Sequence, residues 1–447
     1  MALDRESLEI LARALERLDS RFSSLPAFEA ASGGGGRLAE VSLELAEKLA
    51  DNYPYFHPLY AGQMLKPPHP VARLAYSLAL YINPNNHALD GGRATSALEK
   101  EAVSELAAML GWSEFLGHLC GGGTMANLEA LWVAGQRHPG KAIVASEQAH
   151  YTHSRISAVL QLPFEAIRSD SFGRMDLNAL AERAAKGDVG TVVATLGTTA
   201  TGSVDPLPGI LELAARHGFR VHVDAAYGGY FLLAGNLGEN AQKSFARMGE
   251  ADSVVIDPHK HGLQPYGCGC VLFRDPVVGT LYQHHSPFTY FSSPQLHLGQ
   301  ISLECSRPGA AAAALWATQK LLPLERGGEL ARGLERGREA ALKFWRAIAD
   351  PREFVAPFPP ELDILVFIPV GTSPAEISLK SRRIYAAAAR HGLHLAVAEL
   401  PVRFWKGLGD GSGTVTCLRS VLMKPEHLDW IERILALLRL ANAAEQT

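Results

Sequence analysis

Two short runs rich in β-branched residues each lead to a polar side chain that can take part in covalent chemistry. The run at 220–223 ends directly at Asp224, and the run at 253–256 is soon followed by Lys260. Runs rich in β-branched residues are typical of buried strands in a parallel sheet. Because the carboxyl ends of such strands meet at one edge of the sheet, we expect Asp224 and Lys260 to lie close together.

A carboxylate and an amine at one sheet edge have two interpretations. They could form an ion pair, which is the simpler interpretation for these two residues alone. They could also hold the two ends of pyridoxal phosphate, with Lys260 forming a Schiff base to the aldehyde and Asp224 keeping the ring nitrogen protonated. The neighbouring motifs favour the second interpretation.

A glycine-rich turn could supply the phosphate site that such a cofactor needs. Residues 121–124 read Gly-Gly-Gly-Thr and lead into an apolar helical pattern. Glycines let the backbone approach a ligand, and the amides at a helix N-terminus bind anions. The alternative is a plain tight turn before a helix. His150 and Thr199 follow further predicted strands, so several polar groups converge at the same sheet edge.

Strand and helix patterns alternate from residue 142 onwards, which predicts an α/β fold. The predicted strands are 142–145, 164–167, 191–196, 220–223, 253–256 and 270–273. The helices predicted between them are 149–160, 176–185 and 207–217. This alternation requires right-handed crossovers and a mostly parallel sheet with helices on both faces.

The two ends of the chain predict smaller units. Near the N-terminus, the leucines at 8, 11, 15 and 18 form one stripe of an amphipathic helix suited to packing on a second subunit. Further helices are predicted at 40–52 and at 96–110, where Ser96 and Glu99 have the spacing of a capping box.

After residue 300 the patterns change to those of a smaller α/β unit. Helices are predicted at 309–321, 330–349, 378–390 and 426–438, and strands at 362–367 and 415–418. We therefore divide the chain into an N-terminal helical segment (1–80), a large cofactor-binding domain (81–325) and a small C-terminal α/β domain (326–447).

The composition excludes several classes of protein. Apolar residues make up 47% and charged residues 20%, as in soluble globular proteins. The 42 basic and 46 acidic residues give a net charge of -4, so we expect neither nucleic acid nor a membrane as a partner. The five cysteines lack metal-ligand spacing, which predicts reduced thiols, no metal site and a cytoplasmic location.

Taken together, the motifs resemble the group II pyridoxal-phosphate-dependent amino-acid decarboxylases, which include aromatic amino-acid, glutamate and cysteine-sulfinate decarboxylases. The resemblance runs from about residue 54 to 322 and continues more weakly to the C-terminus. The matching pieces are Gly-Gly-Gly-Thr-Met-Ala-Asn at 121–127, Gln-Ala-His at 148–150, Ala-Thr-Leu-Gly-Thr-Thr at 194–199, His-Val-Asp-Ala-Ala-Tyr at 222–227 and Asp-Pro-His-Lys at 257–260.

The resemblance implies a fold-type-I enzyme that works as a homodimer, with active sites near the interface. It would remove the α-carboxylate of an L-amino acid as CO2. Carried over by position, Lys260 would bind the cofactor aldehyde and Asp224 the ring nitrogen. His150 would stack on one face of the ring, and Ala226 would pack against the other.

The same resemblance implies the surroundings of the phosphate. Gly123, Thr124, Asp257 and His259 would surround it, and Thr199 falls where the family has a threonine beside the cofactor.

Two assignments concern protonation and substrate binding. Tyr290 lies in what looks like the family's mobile loop and is our candidate for the acid that protonates Cα, with Tyr282 as the second choice. Arg307 is expected to be a salt-bridge partner, and Arg419 is a weaker candidate for gripping a substrate carboxylate.

The sequence departs from better-known relatives in two places, both of which bear on substrate identity. His261 stands where many relatives have an aromatic residue, and the segment 83–93 differs from their substrate loop. His153 lacks motif support and is expected at the surface or behind the site residues.

Two rival functions remain open. One is a carbon-carbon lyase or aldehyde synthase on the same fold, and the other is a non-catalytic homologue that binds the cofactor. Aromatic and acidic amino acids are the leading substrate candidates.

Overall fold

A seven-stranded sheet forms the centre of the computed structural model, which describes residues 5–26, 28, 35–283, 295–348, 353–408 and 413–444. The strand order is β1-β7-β6-β5-β4-β2-β3. The strands are β1 Leu116–Cys120, β2 Ala142–Ser146, β3 Phe164–Ile167, β4 Val189–Thr195, β5 Arg220–Asp224, β6 Ser253–Ile256 and β7 Gly269–Phe273. The predicted α/β fold with a mostly parallel sheet is confirmed.

Only one strand runs against the others in this sheet. The neighbours from β3 through β2, β4 and β5 to β6 pair in parallel. β7 pairs antiparallel with both β6 and β1. Five consecutive parallel strands therefore present their carboxyl ends at one edge.

Helices surround the sheet and connect its strands. They are α1 Arg5–Ser20, α2 Gly36–Leu49, α3 Pro70–Leu80, α4 Leu89–Met109, α5 Gly123–Arg137, α6 Thr152–Val159, α7 Leu177–Ala184, α8 Leu207–His217, α9 Glu239–Ala246, α10 Gly309–Leu321, α11 Glu329–Ala347, α12 Pro374–Arg390 and α13 His427–Ala443.

The strand β4 shows why these runs do not alternate between apolar and polar residues. All seven of its residues are buried. Val192 packs in one hydrophobic cluster with Ile210 of α8, whereas Val193 points to the opposite face and packs with Leu131 of α5. A strand covered on both faces has no solvent-facing positions that polar residues would occupy in alternation.

A second, antiparallel sheet lies in the C-terminal part of the chain. Its order is β10-β11-β9-β8. The strands are β8 Phe354–Val355, β9 Ile364–Pro369, β10 Ala396–Pro401 and β11 Thr414–Val421. Helices α11, α12 and α13 pack against it around Phe344 and Phe367. The strands β9 and β11 are close to the two predicted ones. The division of the chain into three units remains a prediction.

The predicted capping box at Ser96 is wrong. Helix α4 begins at Leu89, bends at Gly92, and continues through Ser96, which is fully buried. The Glu99 carboxylate instead accepts hydrogen bonds from the Asn86 side chain at 2.6 Å and from the Leu119 amide at 3.0 Å. Glu99 therefore ties the segment before α4 to strand β1.

The N-terminal helices α1 and α2 contain no buried residue. Helix α1 contacts α3, α3 packs on α10, and α10 packs in turn on α4. Several leucines of α2 are largely exposed, and Leu43 is 68% exposed. These two helices thus carry apolar surface that the described part of the chain leaves uncovered.

Candidate active site

Nine residues predicted from the sequence line a single cavity of about 290 Å³ at the carboxyl ends of the parallel strands. They are Gly123, Thr124, His150, Thr199, Asp224, Ala226, Asp257, His259 and Lys260. The tenth, Tyr290, lies outside the described residues. The structure therefore brings these nine residues together, and their roles remain predictions.

Strands β5 and β6 bring the aspartate and the lysine together. β5 ends at Asp224, and the parallel partner of Asp224 in β6 is Val255. The chain then turns after Ile256, so that Asp257 and Lys260 stand at the same edge. The expected proximity follows from this register.

The glycine turn between β1 and α5 forms one wall of the cavity. Gly122 has a φ of +134°, a conformation that side chains rarely adopt, and no side chain caps the helix that follows. A Cβ at Gly123 would lie 2.7 Å from Asp257 Oδ2, and one at Gly269 would lie 2.5 Å from Gly122 Cα. The turn stays open because these positions lack a side chain, and the uncapped amides of α5 remain available to an anion.

Asp224 is held by a buried set of hydrogen bonds. Its Oδ2 lies 2.8 Å from His153 Nε2 and 3.4 Å from Asn127 Nδ2, and its Oδ1 accepts the Ala226 amide at 3.1 Å. Burial alone would raise the pKa of Asp224, but the hydrogen bond from His153 and the nearby Lys260 ammonium outweigh it and hold that pKa below its usual range. Asp224 is therefore a stable carboxylate.

His153 was expected at the surface or behind the site residues, and the structure shows the second. Its side chain is 0% exposed, so the surface alternative is wrong. Since a carboxylate only accepts hydrogen bonds, Nε2 of His153 carries the hydrogen that it donates to Asp224. No sequence motif includes His153. Its only signal was its position three residues after His150.

The hydrogen-bond chain continues behind Asn127. His222 Nε2 lies 2.8 Å from Asn127 Oδ1, and His222 Nδ1 lies 2.8 Å from the Ser253 hydroxyl. Burial lowers the pKa of His222 to about 3, with His153 as a second cause, so the ring is neutral. Ser253 then donates to His222, which donates to Asn127, which donates to Asp224. Sequence reasoning missed both His222 and Asn127, although both lie inside the quoted motifs.

Lys260 pairs with Asp257 rather than with Asp224. Its Nζ lies 3.0 Å from Asp257 Oδ2, and His259 Nε2 lies 3.5 Å from the same oxygen. His259 Nδ1 lies 2.9 Å from the Cys268 carbonyl, and burial lowers its pKa. The simple Asp224–Lys260 ion pair is therefore not formed.

His150 stands at the cavity with its ring half-buried. Burial lowers its pKa, and its Nδ1 accepts the Thr152 amide at 3.2 Å. Its ring lies 4.4 Å from that of Tyr151. A neutral imidazole fixed in this way presents a flat surface for packing against another ring.

Both arginines are engaged in holding the protein together. Arg307 forms a buried ion pair with Glu99 at 3.0 Å, as expected of a salt-bridge partner. Arg419 donates to the carbonyls of Gly62, Thr199 and Ala200. All three of its guanidinium nitrogens are thus used, which favours a role in fixing the Thr199 turn over gripping a substrate.

Tyr282 and His261 lie away from the cavity wall. Tyr282 packs edge-on against Trp132 at 4.9 Å, and its burial strongly raises its pKa. His261 is buried between the rings of Tyr227 and Phe231. Tyr282 is therefore poorly placed as an acid in the cavity.

Metal-binding groups and membrane-spanning helices were both sought in the part of the chain that the structure describes. Within those residues, no group of His, Cys, Asp and Glu side chains has the arrangement of a metal site. None of the helices found there is long and apolar enough to cross a membrane.

Comparison with known proteins agrees with this site. Residues 139–368 match the model of the pyridoxal-dependent decarboxylase conserved domain. A probable L-tyrosine/L-aspartate decarboxylase of Methanothermobacter thermautotrophicus is 30% identical over 71% of this chain and 85% of its own length. One of Methanothrix thermoacetophila is 35% identical over 56% of this chain, and the match spans 63% of that protein.

The fold has close counterparts among solved structures. The crystal structure of Oryza sativa TDC with PLP and tryptamine superposes with a TM-score of 0.79 at 17% identity, over 100% of both chains. Mouse CSAD superposes with a TM-score of 0.79 at 22% identity, over 98% of this chain and 99% of the other. The family model spans half of the chain and contains Lys260, Asp224 and His150. The chain therefore belongs to the family of pyridoxal-dependent decarboxylases.

Proposed function

We propose that this chain removes the α-carboxylate of an L-amino acid as CO2, using pyridoxal phosphate held by Lys260. The observation that carries the proposal is the shared cavity. A lysine, a stable carboxylate and an uncapped helix N-terminus all face one space of about 290 Å³.

The residues of the cavity fit this cofactor. The glycine turn leaves a space that a Cβ at position 123 would fill, at the start of the 15-residue helix α5. Such a space with uncapped amides suits a phosphate, and Thr124 adds a hydroxyl. Gly123, Thr124 and His259 would surround the phosphate, Lys260 would hold the aldehyde carbon, and His150 and Ala226 would pack against the ring.

The chemistry that bound pyridoxal phosphate supplies is an acceptor for the electron pair left on Cα when CO2 departs. Asp224 would keep the ring nitrogen protonated, because a fixed negative charge favours the protonated form of a neighbouring base. His153 and Asn127 keep that charge in place by donating to Asp224 Oδ2.

Two residues would handle protons at the substrate. Lys260 has Asp257 at 3.0 Å as a carboxylate that can stabilise its ammonium form after it gives way to the substrate amine. We keep Tyr290 as the proposed acid that protonates Cα, because it belongs to the loop that follows the lysine strand in the family.

We infer an acidic or aromatic amino acid as the substrate. The two archaeal relatives are named as probable L-tyrosine/L-aspartate decarboxylases. We further infer a homodimer in the cytoplasm. Support comes from the exposed apolar side chains of α1 and α2 and from the five free cysteines of the chain.

The test is to incubate the cofactor-loaded protein with each common L-amino acid and to measure CO2 and amine. We expect equal amounts of both from aspartate or tyrosine. The Asp224→Asn variant should fold and bind cofactor but lose at least about a hundredfold in rate, since it removes a charge from the site. Aldehyde as the product would favour a lyase or an aldehyde synthase. A bound cofactor without any turnover would favour a non-catalytic homologue.

A further inference from the structure

A second cavity, of about 640 Å³, lies apart from the active site. Its walls are the segment from Phe56 to Arg73, the first two turns of α11, and the turn at 424–426 that follows β11. Leu263, three residues beyond Lys260, also contributes to the wall. None of the nine active-site residues lines it.

Positive charge dominates the walls of this cavity. The charged side chains that face it are Lys66, Arg73, Arg332, Arg336 and Lys424 against Glu329 and Glu426. Arg336 is already paired with Asp429 at 2.6 Å. Four cations therefore remain against two carboxylates.

The two lysines are close to each other, since Lys66 Nζ bonds the carbonyl of the residue before Lys424; Lys424 is buried and Lys66 is partly buried. Lys424 is 4% exposed, and its Nζ donates to the Tyr60 carbonyl at 2.6 Å. Lys66 Nζ donates to the Met423 carbonyl at 3.1 Å. Among the described residues, no carboxylate lies within 4.0 Å of either ammonium. Each lysine has three N–H groups, so carbonyls alone leave donors for a ligand.

Holding two such cations side by side is costly without a counter-ion. Burial lowers the pKa of Lys66 to about 8, with Asp363 and Glu426 opposing. Burial lowers the pKa of Lys424 to about 7, with Lys66 as a further cause and Glu426 opposing. An anion in the cavity would relieve this cost and would keep both lysines protonated.

The rest of the wall is apolar. Phe56, Pro67, Leu263, Leu322 and Leu334 face the same space as the lysines. A bare inorganic ion would leave this surface in contact with water, whereas a molecule with an apolar body would cover it.

We propose that this cavity is a second binding site, which takes a small organic anion with a carboxylate or phosphate head and an apolar body. The head lies against Lys66 and Lys424, and the body lies against the leucines and prolines. The site is separate from the substrate site and does not depend on the proposed reaction.

Benzoate is a suitable probe because its carboxylate keeps one charge between about pH 6 and about pH 9. Benzamide is its neutral control of nearly the same shape. The protein is first loaded with pyridoxal phosphate and reduced with borohydride, so that the cofactor space of the active site is filled before the probe is added. Binding is then measured by titration calorimetry, and a parallel titration with phenyl phosphate tests the other head group.

We expect saturable binding of benzoate, and affinity at least about tenfold weaker for benzamide, which corresponds to about 1.4 kcal/mol. The double variant Lys66→Met/Lys424→Met should lose a similar factor, whereas Lys186→Met, at an exposed lysine outside the cavity, should match the unmodified protein. Arg73→Gln changes an exposed side chain and serves as a second test should the double variant fail to fold; it should weaken binding about threefold.

The pH dependence provides an independent readout. Anion binding needs protonated lysines, so affinity should be full at about pH 6 and should fall as pH rises through the values near 7 and 8. Burial also lowers the pKa of His69, which moves its titration away from the fall that the two lysines produce. The proposal would be overturned if benzoate and benzamide bound equally well, or if the lysine and arginine changes left binding unaffected. It would also be overturned if binding did not saturate by about 10 mM benzoate.

Discussion

The charge of Asp224 depends on a residue that the motifs did not identify. The sequence located Asp224, Lys260 and the glycine turn because strand ends and helix starts have local signals. It did not show that His153 would face inward, because His153 lies in the first turn of helix α6, which begins after His150, and the packing of that helix decides its direction. His153 is therefore the sharpest test at the scale of single residues.

Replacing His153 by Leu should raise the pKa of Asp224, since it removes a hydrogen bond at 2.8 Å to a buried carboxylate. Asp224 has a depressed pKa, so its charge is present above that pKa and is lost as pH falls. In the variant this loss should move to higher pH. The measurement is the absorption spectrum of the bound cofactor against pH, together with cofactor affinity.

A hydrogen bond to a charged group contributes about 1.5–3 kcal/mol, so we expect His153→Leu to weaken activity by roughly 10- to 100-fold. His153→Asn keeps a donor and should recover part of the effect. A spectrum whose pH dependence is the same in all three proteins would show that His153 does not control Asp224.

For helices and strands, the prediction agreed with the structure where the local sequence carried the full residue pattern or boundary residue of the element. Helix α8 and strand β6 occupy the predicted residues, because α8 is followed by Gly218 in a left-handed conformation and β6 is rich in β-branched residues and buried throughout. Strand β1 was not predicted from the sequence because it carries His118, a polar residue whose buried ring contacts Glu129 at 3.0 Å. Strand β10 was missed because two of its residues are exposed.

The glycine turn before α5 gives an element-level prediction. Gly123→Ala places a Cβ 2.7 Å from Asp257 Oδ2 and narrows the proposed phosphate space. We expect pyridoxal phosphate to bind at least about tenfold more weakly, by fluorescence titration. The control Gly279→Ala adds a Cβ with its nearest neighbour at 3.5 Å and should bind normally. Unchanged affinity in Gly123→Ala would argue against a phosphate at this turn.

The ion pair between Glu99 and Arg307 gives a second prediction about how elements are held together. It joins α4 to the segment before α10, and both side chains are almost fully buried. Arg307→Met leaves an unpaired buried carboxylate and should lower the free energy of unfolding by about 3–5 kcal/mol in urea. The double variant Arg307→Met/Glu99→Gln should recover part of the lost free energy of unfolding.

An exposed ion pair is the control for that measurement. Arg346→Met breaks a pair with Glu339 at 3.2 Å whose side chains are 60% and 45% exposed. It should cost less than about 1 kcal/mol. An equal effect of Arg307→Met and Arg346→Met would show that burial of the Arg307 pair has no special importance.

At the scale of the whole molecule, the N-terminal helices remain without a covering surface. On α2 the residues Leu38, Val41, Leu45 and Leu49 lie on one face, and all are more than half exposed. A continuous apolar face of this kind is typical of a subunit contact. The sequence predicted both helices and the leucine stripe of α1, but a single chain cannot reveal what covers them.

The proposed homodimer predicts that Leu38→Glu/Leu45→Glu shifts the protein towards monomer, because it places charges in an apolar interface. The measurement is light scattering over a dilution series. Leu440→Glu on α13, at a leucine that is 55% exposed, is the matched control and should remain dimeric. Equal masses for all three proteins would contradict a contact through α2.

The proposed function depends on a covalent bond between Lys260 and the cofactor. The direct measurement is to add pyridoxal phosphate, reduce with borohydride, digest the protein and map the modified peptide. We predict modification of the peptide that contains Lys260, and none in Lys260→Ala. Modification at another lysine, or an unmodified protein, would contradict the proposed Schiff base at Lys260.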